Sequence, residues 1–230
     1  MNIAIMGAMV EEIEPLLAFF GKYETVEFAK NRYFLTSYKG LDLIIAYSKI
    51  GKVNASLTAS TMIEKFGAQK LLFSGVAGAI SSDLGIGDLI VATKLAQHDL
   101  DISAFGHPFG YVPEGSVYVE SDENLRDIAY QVASEKGIAL KSGIIATGDQ
   151  FVCNSERKEW IGKTFDADAL EMEGASVAVV CDSLNVPFFI LRAISDGADH
   201  DAGMSFDEFL QSSAKISAEF VISMLDKMQP

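Results

Sequence analysis

The stretch PFFILRAISD, residues 187–196, decides the fold class because it joins a strongly apolar strand to a polar end. Four apolar residues follow Pro187, a pattern that predicts a buried strand. Arg192 interrupts this apolar run, and Ser195 and Asp196 close it. Ligands of α/β proteins bind at the ends of such strands, so this end is the first place to search for a functional site.

Strand and helix patterns alternate outward from this stretch. Ile3–Met6 predicts another buried strand, and the apolar residues of Val10–Phe20 recur at helical spacing before Gly21. Further strands are predicted at 32–38 and 41–47, joined as a hairpin, and at 71–73, 89–92, 143–146 and 169–172. Further helices are predicted at 53–66, from a Ser121 cap to 136, at 174–184, and from a capping box at 205–208. The alternation predicts an α/β sandwich over a mixed sheet, with residues 1–230 forming one domain.

Composition excludes several classes of partner. The chain has 230 residues, of which 49% are apolar, and a formal net charge of −14 from 32 acidic and 18 basic residues. Such a surface repels phosphate backbones and anionic lipid, so we expect neither a nucleic acid nor a membrane as partner. Acids follow the first strand at once, and no apolar run approaches the ~20 residues of a membrane span, so a cytoplasmic location is expected.

Four carboxylates lie at or just beyond predicted strand ends. Glu12, taken with its segment alone, is best interpreted as an acid in the first turn of a helix, where the macrodipole contributes about 0.3–1 kcal/mol. Glu171 and Glu173 alternate on one side of a strand beside an apolar segment, so they need partners or a ligand. Asp196 has two equally supported interpretations. It is either a general acid whose pKa is raised by burial, or a turn residue before Gly197.

Other signals are more equivocal. Arg192 is one of four arginines, and its charge within an apolar strand must find carboxylates or a ligand oxygen. The glycine turn at 75–78 and the GIG at 85–87 match neither a Walker loop nor a dinucleotide fingerprint. His98 and Asp99 hint at a metal, but a solvated or interface histidine is the better interpretation with only three histidines in the chain. Two cysteines without a Cys-x-x-Cys motif indicate neither disulfide nor zinc.

Aromatic residues concentrate in two segments. The stretch FGHPFGYVP, residues 105–113, is dense in aromatic and turn-forming residues, which predicts that it covers a partner subunit or the apolar part of a ligand. Phe151 follows a polar turn and has two interpretations: a ring that stacks on a planar base, or an ordinary core aromatic.

Taken in order, these motifs resemble the nucleoside phosphorylase and nucleosidase family, and within it the nucleosidases for 5′-methylthioadenosine and S-adenosylhomocysteine. The resemblance covers essentially the whole chain. The motifs that carry it are GAM (7–9) with EE (11–12), SKIGKV (48–53), GDQF (148–151), EMEGA (171–175), RAISD (192–196) and SFDEFL (205–210).

The resemblance implies a reaction and the residues that perform it. The expected reaction is hydrolysis of the N-glycosidic bond of an adenine nucleoside, without metal or cofactor. Glu12 matches the base that activates water, and Asp196 matches the acid that protonates adenine N7, oriented by Ser195. Glu173, beside Met172, matches the ligand of the ribose hydroxyls. The family fold implies that the central sheet of the α/β/α sandwich is partly barrel-like.

The resemblance also implies the surroundings of the substrate. The matched residues are Glu171 and Arg192 around the water and sugar, Phe151 and the Val152 backbone at adenine, Val76, Ala77 and Gly78 beside the sugar, and Met9, Ile50 and Phe206 on apolar walls and the 5′ side. The partner subunit's Phe105, His107 and Pro113 are expected to close the 5′-thioalkyl pocket across a homodimer interface. Val76 departs from close relatives, which often carry a hydroxyl at this position.

Two other functions stay open from the sequence. A phosphorylase would use phosphate in place of water, but a phosphate site needs two or three cationic donors, and the first 125 residues contain one arginine, Arg32. A non-catalytic nucleoside-binding module is the alternative of another class, although it would not need an acid and a base at opposite ends of its ligand. Among nucleosides, 6-amino-6-deoxyfutalosine and 5′-deoxyadenosine stay open beside the two thioether substrates.

Overall fold

The computed structural model describes residues 1–199 and 201–228 and consists of alternating strands and helices. The strands are β1 (Asn2–Gly7), β2 (Glu24–Phe28), β3 (Asn31–Tyr38), β4 (Leu41–Tyr47), β5 (Lys70–Ala79), β6 (Leu89–Gln97), β7 (Tyr118–Glu120), β8 (Leu140–Thr147), β9 (Ala169–Glu171) and β10 (Phe188–Asp196). The helices are α1 (Val10–Phe20), α2 (Lys52–Glu64), α3 (Glu123–Lys136), α4 (Ser155–Phe165), α5 (Gly174–Ser183) and α6 (Ala202–Leu225). Within the described ranges, no helix combines the length and apolar character needed to cross a bilayer.

All ten strands join one mixed sheet, and half of them close into a barrel. Strands β10, β6, β8, β9 and β5 are hydrogen-bonded in that order, and β5 pairs back onto β10. Strands β1, β4, β3 and β2 extend the sheet from β5, and β7 pairs with β6. The pairs β1–β5, β5–β10 and β6–β8 are parallel, whereas β6–β10 and β5–β9 are antiparallel. The predicted mixed, partly barrel-like sheet is confirmed.

Alternation along the central strands divides the apolar side chains between two cores. In β1, Ile3 and Ile5 pack into a core formed with α1, α3 and α6, whereas Ala4 and Met6 pack into a core formed with α2 and α5. Successive strand residues point to opposite faces, so one apolar strand serves both layers. Helices therefore cover both sides of the sheet, and the predicted α/β/α sandwich is confirmed.

The same alternation explains the position of Arg192. In β10, Phe189 and Leu191 belong to the first core, while Ile190 and Ile194 belong to the second. Arg192 lies between Ile190 and Ile194 and is only 1% exposed, so the strand directs its side chain into the interior. A charge in that position needs a buried partner of opposite charge.

Two helix starts differ from the sequence prediction. Helix α6 begins at Ala202, and the Ser205 N–H already donates to the Asp201 carbonyl, so the capping box predicted at 205–208 is wrong. Helix α3 is capped by Asp122, whose carboxylate accepts from the Leu125 N–H, and not by Ser121. The Ser121 hydroxyl instead donates to the Ala92 carbonyl.

Among the described residues, two strands and one α-helix were not predicted at all. Strand β2 is an exposed edge strand, β7 has three residues, and α4 has a largely polar sequence. None of these segments carries the apolar periodicity on which a prediction from one sequence depends.

Candidate active site

A cavity of about 260 Å³ lies where β1, β5, β9 and β10 end. Its position follows the rule that α/β sheets bind ligands beyond the carboxyl ends of their strands. Four carboxylates are among the described residues that line it, but no lysine or arginine is. The lining residues are Ala8, Met9, Glu12, Ile50, Val76, Ala77, Gly78, Gln150, Phe151, Val152, Leu170, Glu171, Met172, Glu173, Ser195, Asp196 and Phe206.

Glu12 lies in the first turn of α1, but its carboxylate is buried and belongs to the cavity wall. Its oxygens accept from the N–H groups of Ala8 at 2.5 Å, Met9 at 3.0 Å and Val76 at 3.0 Å. Burial raises the pKa of Glu12, although Arg192 and these three N–H groups oppose the shift. Glu12 does lie in the first turn of the helix, as predicted, but the local sequence could not show that its carboxylate also accepts from Val76 on β5.

Two glycines of β5 leave room for two carboxylates. A β-carbon at Gly75 would lie 2.6 Å from Glu12 Oε1, and one at Gly78 would lie 2.7 Å from Asp196 Oδ1. Real β-carbons do not approach so closely, so any side chain at either position would displace a carboxylate. The two glycines are three residues apart on one strand, a span of about 10 Å. Glu12 and Asp196 thus bracket the Gly75–Gly78 stretch from its two ends.

Asp196 ends β10 and is held by two hydrogen bonds. Its Oδ1 accepts from the Ala198 N–H at 2.9 Å, and its Oδ2 accepts from the Ser195 hydroxyl at 2.9 Å. Burial raises the pKa of Asp196, while these hydrogen bonds oppose the shift. A raised pKa favours the protonated form, so this carboxyl, which lines the cavity, is suited to donate a proton.

Arg192 and Glu171 form a buried ion pair. The Arg192 Nη2 lies 2.8 Å from Glu171 Oε2, and both side chains are almost completely buried. Glu171 also accepts from the Gly174 N–H and from the Thr147 hydroxyl. Arg192 lies behind Glu171 and is not among the residues that line the cavity, so its role around the water and sugar stays a prediction. The Arg192 charge neutralises Glu171, so the two side chains form a buried ion pair with no net charge at the cavity wall.

Glu173 is less fully paired. Strand β9 ends at Glu171 and Glu173 precedes the first residue of α5, so the alternation along one strand predicted for the two acids is wrong. Its Oε1 accepts from the Gly51 N–H at 2.7 Å. Burial, together with the charges of Glu171 and Glu12, raises the pKa of Glu173 to about 8. This carboxyl therefore faces the cavity with hydrogen-bonding capacity left for a ligand.

The far wall of the cavity is apolar and partly open. Phe151 is 47% exposed and meets Phe206 edge-to-face, with ring centroids 5.6 Å apart. The alternative of a core aromatic at Phe151 is therefore wrong. Ile50 and Met9 line the same cavity. Sequence reasoning did not assign Ala8, Gln150 or Leu170 to the site, because their side chains carry no distinctive chemistry.

The comparison with protein families agrees with this geometry. The sequence model of the Phosphorylase superfamily matches residues 2–226. The chain belongs to the phosphorylase superfamily. The resemblance inferred from the motifs is thus confirmed.

Relatives within the superfamily are similar over nearly their whole length. Aminodeoxyfutalosine nucleosidase of Campylobacter jejuni is 58% identical over 228 residues, which cover 99% of this chain and 100% of that protein. The native structure of futalosine hydrolase of Helicobacter pylori has a TM-score of 0.98 at 52% identity, covering 99% of this chain and 98% of that one. An Asp-to-Asn mutant of Helicobacter pylori 5′-methylthioadenosine/S-adenosylhomocysteine nucleosidase, with 5′-methylthioadenosine in the active site, has the same TM-score and identity and covers 99% of both chains.

The three residues that are predicted to act from a partner subunit do not line the cavity of their own chain. Phe105 is 81% exposed and ends a short 3-10 helix, and the His107 ring stacks on Tyr111 at a centroid distance of 4.7 Å. Pro113 borders a different depression of the surface. Their exposure leaves them free to meet a second copy, and their role across an interface stays a prediction.

His98 differs from the sequence expectation. It is 1% exposed, so the solvated interpretation is wrong for this chain. Arg157 Nη2 lies 3.3 Å from its Nδ1, and burial lowers the pKa of His98 to about 4. Among the described residues, no group of three or more His, Cys, Asp or Glu side chains is arranged to hold a metal ion.

Because the pKa of Glu173 is shifted on folding, the stability of the protein depends on pH. The pKa rises from 4.5 to about 8 on folding, so the folded state binds a proton that the unfolded state releases. Stability from this group is complete below pH 4.5 and is lost as pH rises towards 8. We expect the free energy of unfolding, measured by urea denaturation, to fall less between pH 5 and 8 in Glu173→Gln than in the wild type. Parallel curves would contradict the shift.

Proposed function

We propose that this chain is an N-glycosyl hydrolase that releases adenine from nucleosides carrying a 5′ substituent. The proposed substrates are 5′-methylthioadenosine, S-adenosylhomocysteine, 6-amino-6-deoxyfutalosine and 5′-deoxyadenosine. The observation that carries the proposal is the pair Glu12 and Asp196, two buried carboxyls with raised pKa that bracket one cavity. The names of the similar proteins support the substrate class.

The proposed reaction divides proton transfer between the two carboxyls. Asp196 donates its proton to adenine N7 as the bond between C1′ and N9 breaks, so that the leaving purine does not carry a full negative charge. Glu12 accepts a proton from water while the remaining hydroxide bonds to C1′. The water is consumed, adenine and the 5′-substituted ribose are released, and one proton passes from the Asp196 side to the Glu12 side. A base and an acid with raised pKa values suit reaction near neutral pH.

The remaining carboxylates stabilise the sugar. Positive charge develops on the ribose ring in the transition state, and Glu173 is placed to bind the ribose hydroxyls with the oxygen that Gly51 does not occupy. That positive charge also favours the ionised form of Glu173 and so opposes the rise in its pKa that burial causes. Glu171 lines the same wall and is held in place from behind by Arg192.

The apolar wall fits the two ends of the nucleoside. The exposed face of Phe151 is suited to stack on adenine, with the Val152 backbone at the edge of the base. Met9, Ile50 and Phe206 offer apolar contacts to the 5′ substituent. The backbone N–H of Val76 is donated to Glu12, so the main chain of Val76 positions this carboxylate, and its side chain borders the cavity beside the sugar.

Water is a better nucleophile than phosphate for this cavity. A phosphate site needs cationic donors, but the lining among the described residues has four carboxylates and neither lysine nor arginine. Arg192 is committed to Glu171, and Lys158 donates to the Gly197 carbonyl. The charge of the wall therefore disfavours a phosphate dianion and favours hydrolysis.

We further propose that the chain acts as a homodimer. Ile50 lines the open side of the cavity and is exposed. Val53 and Leu57, which follow it in sequence, are also exposed apolar side chains. The partner subunit's Phe105, His107 and Pro113 would complete the 5′ side of the pocket. The cytoplasmic location stays a prediction from the sequence.

One assay separates the three candidate functions. Purified protein is incubated with 5′-methylthioadenosine in buffers with and without phosphate, and adenine is followed by chromatography. We expect adenine at equal rates in both buffers. Adenine only with phosphate would establish phosphorolysis, and nucleoside binding by calorimetry without any adenine would establish a binding module.

A further inference from the structure

Three polar residues from distant segments form a closed ring of hydrogen bonds next to the cavity. Lys52 Nζ lies 2.6 Å from Asp99 Oδ1, and Asp99 Oδ2 accepts from the Asp149 N–H at 2.8 Å. Asp149 Oδ1 accepts in turn from the Lys52 N–H at 2.8 Å, which closes the ring. We call this set, Lys52, Asp99 and Asp149, the Lys52 ring.

The ion pair of the ring is largely shielded from water. The side chains of Lys52 and Asp99 are 17% and 16% exposed. Burial alone would raise the pKa of Asp99, but the hydrogen bonds from Lys52 and Asp149 outweigh it and hold the pKa below its ordinary value. The ionised form of Asp99 is therefore favoured, and its ion pair with Lys52 is less screened than a surface ion pair, whereas Asp149 lies at the exposed side of the ring.

Asp149 also supplies a helix cap that the local sequence lacks. Gly51 is the N-cap of α2 and has no side chain with which to cap it. The Asp149 carboxylate binds the first N–H of the helix from another segment, where the macrodipole favours an anion. Gly51 has φ +99°, and a β-carbon there would lie 3.0 Å from Asp149 Oδ1, so this close approach depends on glycine.

The ring joins the two segments that carry opposite parts of the site. On one side, Gly51 donates its N–H to Glu173, and its neighbour Ile50 lines the cavity. On the other side, Asp149 is two residues before Phe151. The same hydrogen bonds therefore fix the position of the Glu173 carboxyl, on the sugar side, and the position of the Phe151 side chain, on the base side.

We propose that Lys52 and Asp149 are positioning residues that hold Glu173 and Phe151 at the separation a nucleoside requires. Neither residue lines the cavity, so both act through the residues they hold. The inference rests on the proposed function for its substrate, but the ring itself is independent of which nucleoside is cleaved.

The test compares two substitutions at Asp149 that differ in hydrogen bonding. Asp149→Ala removes the acceptor for the Lys52 N–H, and we expect kcat/KM for 5′-methylthioadenosine to fall about 10- to 100-fold, as for a displacement of reacting groups by about 1 Å. KM for the nucleoside and the inhibition constant of adenine are both expected to rise. Asp149→Asn keeps an amide oxygen that can accept the same bond, so it should retain most of the wild-type kcat/KM.

Lys52→Met removes the bond between Lys52 Nζ and Asp99 and so tests the Lys52 ring at a second position. If Asp149→Ala does not fold, the kinetics of Lys52→Met provide the test. The matched control is Lys163→Met on α4, which removes an exposed ion pair with Glu159 of the same 2.6 Å length. The control is expected to keep wild-type kinetics. A folded Lys52→Met or Asp149→Ala variant with wild-type KM and adenine inhibition would overturn the inference. A wild-type protein that releases no adenine would overturn the proposed function instead.

Discussion

Asp196→Asn is expected to lower the rate of adenine release by about 10²- to 10⁴-fold, because a positioned proton transfer contributes that much. The amide retains the shape of the side chain and an oxygen that can accept from Ala198 or Ser195. It has no acidic proton for adenine N7 near neutral pH. Nucleoside binding should therefore persist, measured by calorimetry, while single-turnover kinetics show that the chemical step is slow.

The pH profile separates this role from a structural one. In the wild type, activity should fall as pH rises through the raised pKa of Asp196, because the donor loses its proton. The residual activity of Asp196→Asn should lack that fall. Asp83→Asn, at an exposed position, is the control and should behave as the wild type. Near-normal turnover in Asp196→Asn would remove Asp196 from the mechanism.

Glu12→Gln is expected to cause a loss of similar size, about 10²- to 10⁴-fold in kcat, through the other proton transfer. A carboxylate accepts from three N–H groups here, and an amide can replace only part of this set because its nitrogen donates. The variant therefore loses the base and also one of these contacts. In the wild type, activity should fall at low pH as Glu12 is protonated, and the residual activity of the variant should not.

Glu11 offers a matched control for Glu12. Both acids lie in the first turn of α1, so both interact with the same helix macrodipole, but only Glu12 lines the cavity. Glu11→Gln should keep wild-type turnover with a small change in thermal stability. Equal losses in the two variants would show that the effect of Glu12→Gln comes from the helix and not from proton transfer.

The fold was predictable wherever apolar periodicity was strong. Ile3–Met6 and the apolar run that starts at Phe188 are strands with side chains in two cores, and α1 begins and ends where its pattern does. Prediction failed where the pattern was weak or where two caps competed. The strand β2 is exposed, α4 is polar, and Asp122 rather than Ser121 caps α3.

The sequence by itself determined which side chains stand at the strand ends, because residue order and the two-residue period of a strand are local properties. It therefore made Glu171 and Glu173 candidates for a site and left Asp196 open between a general acid and a turn residue. It also required a partner for Arg192, because a charge cannot remain unpaired in an apolar strand.

Only the tertiary structure decided which groups meet. Glu12 accepts a hydrogen bond from Val76, 64 residues away, and Lys52 donates to Asp149, 97 residues away. No local signal encodes such contacts, since each depends on how helices and strands pack around the barrel. Burial follows from the same packing, and it raises the pKa values of the Glu12 and Asp196 carboxyls above those of ordinary exposed carboxyls.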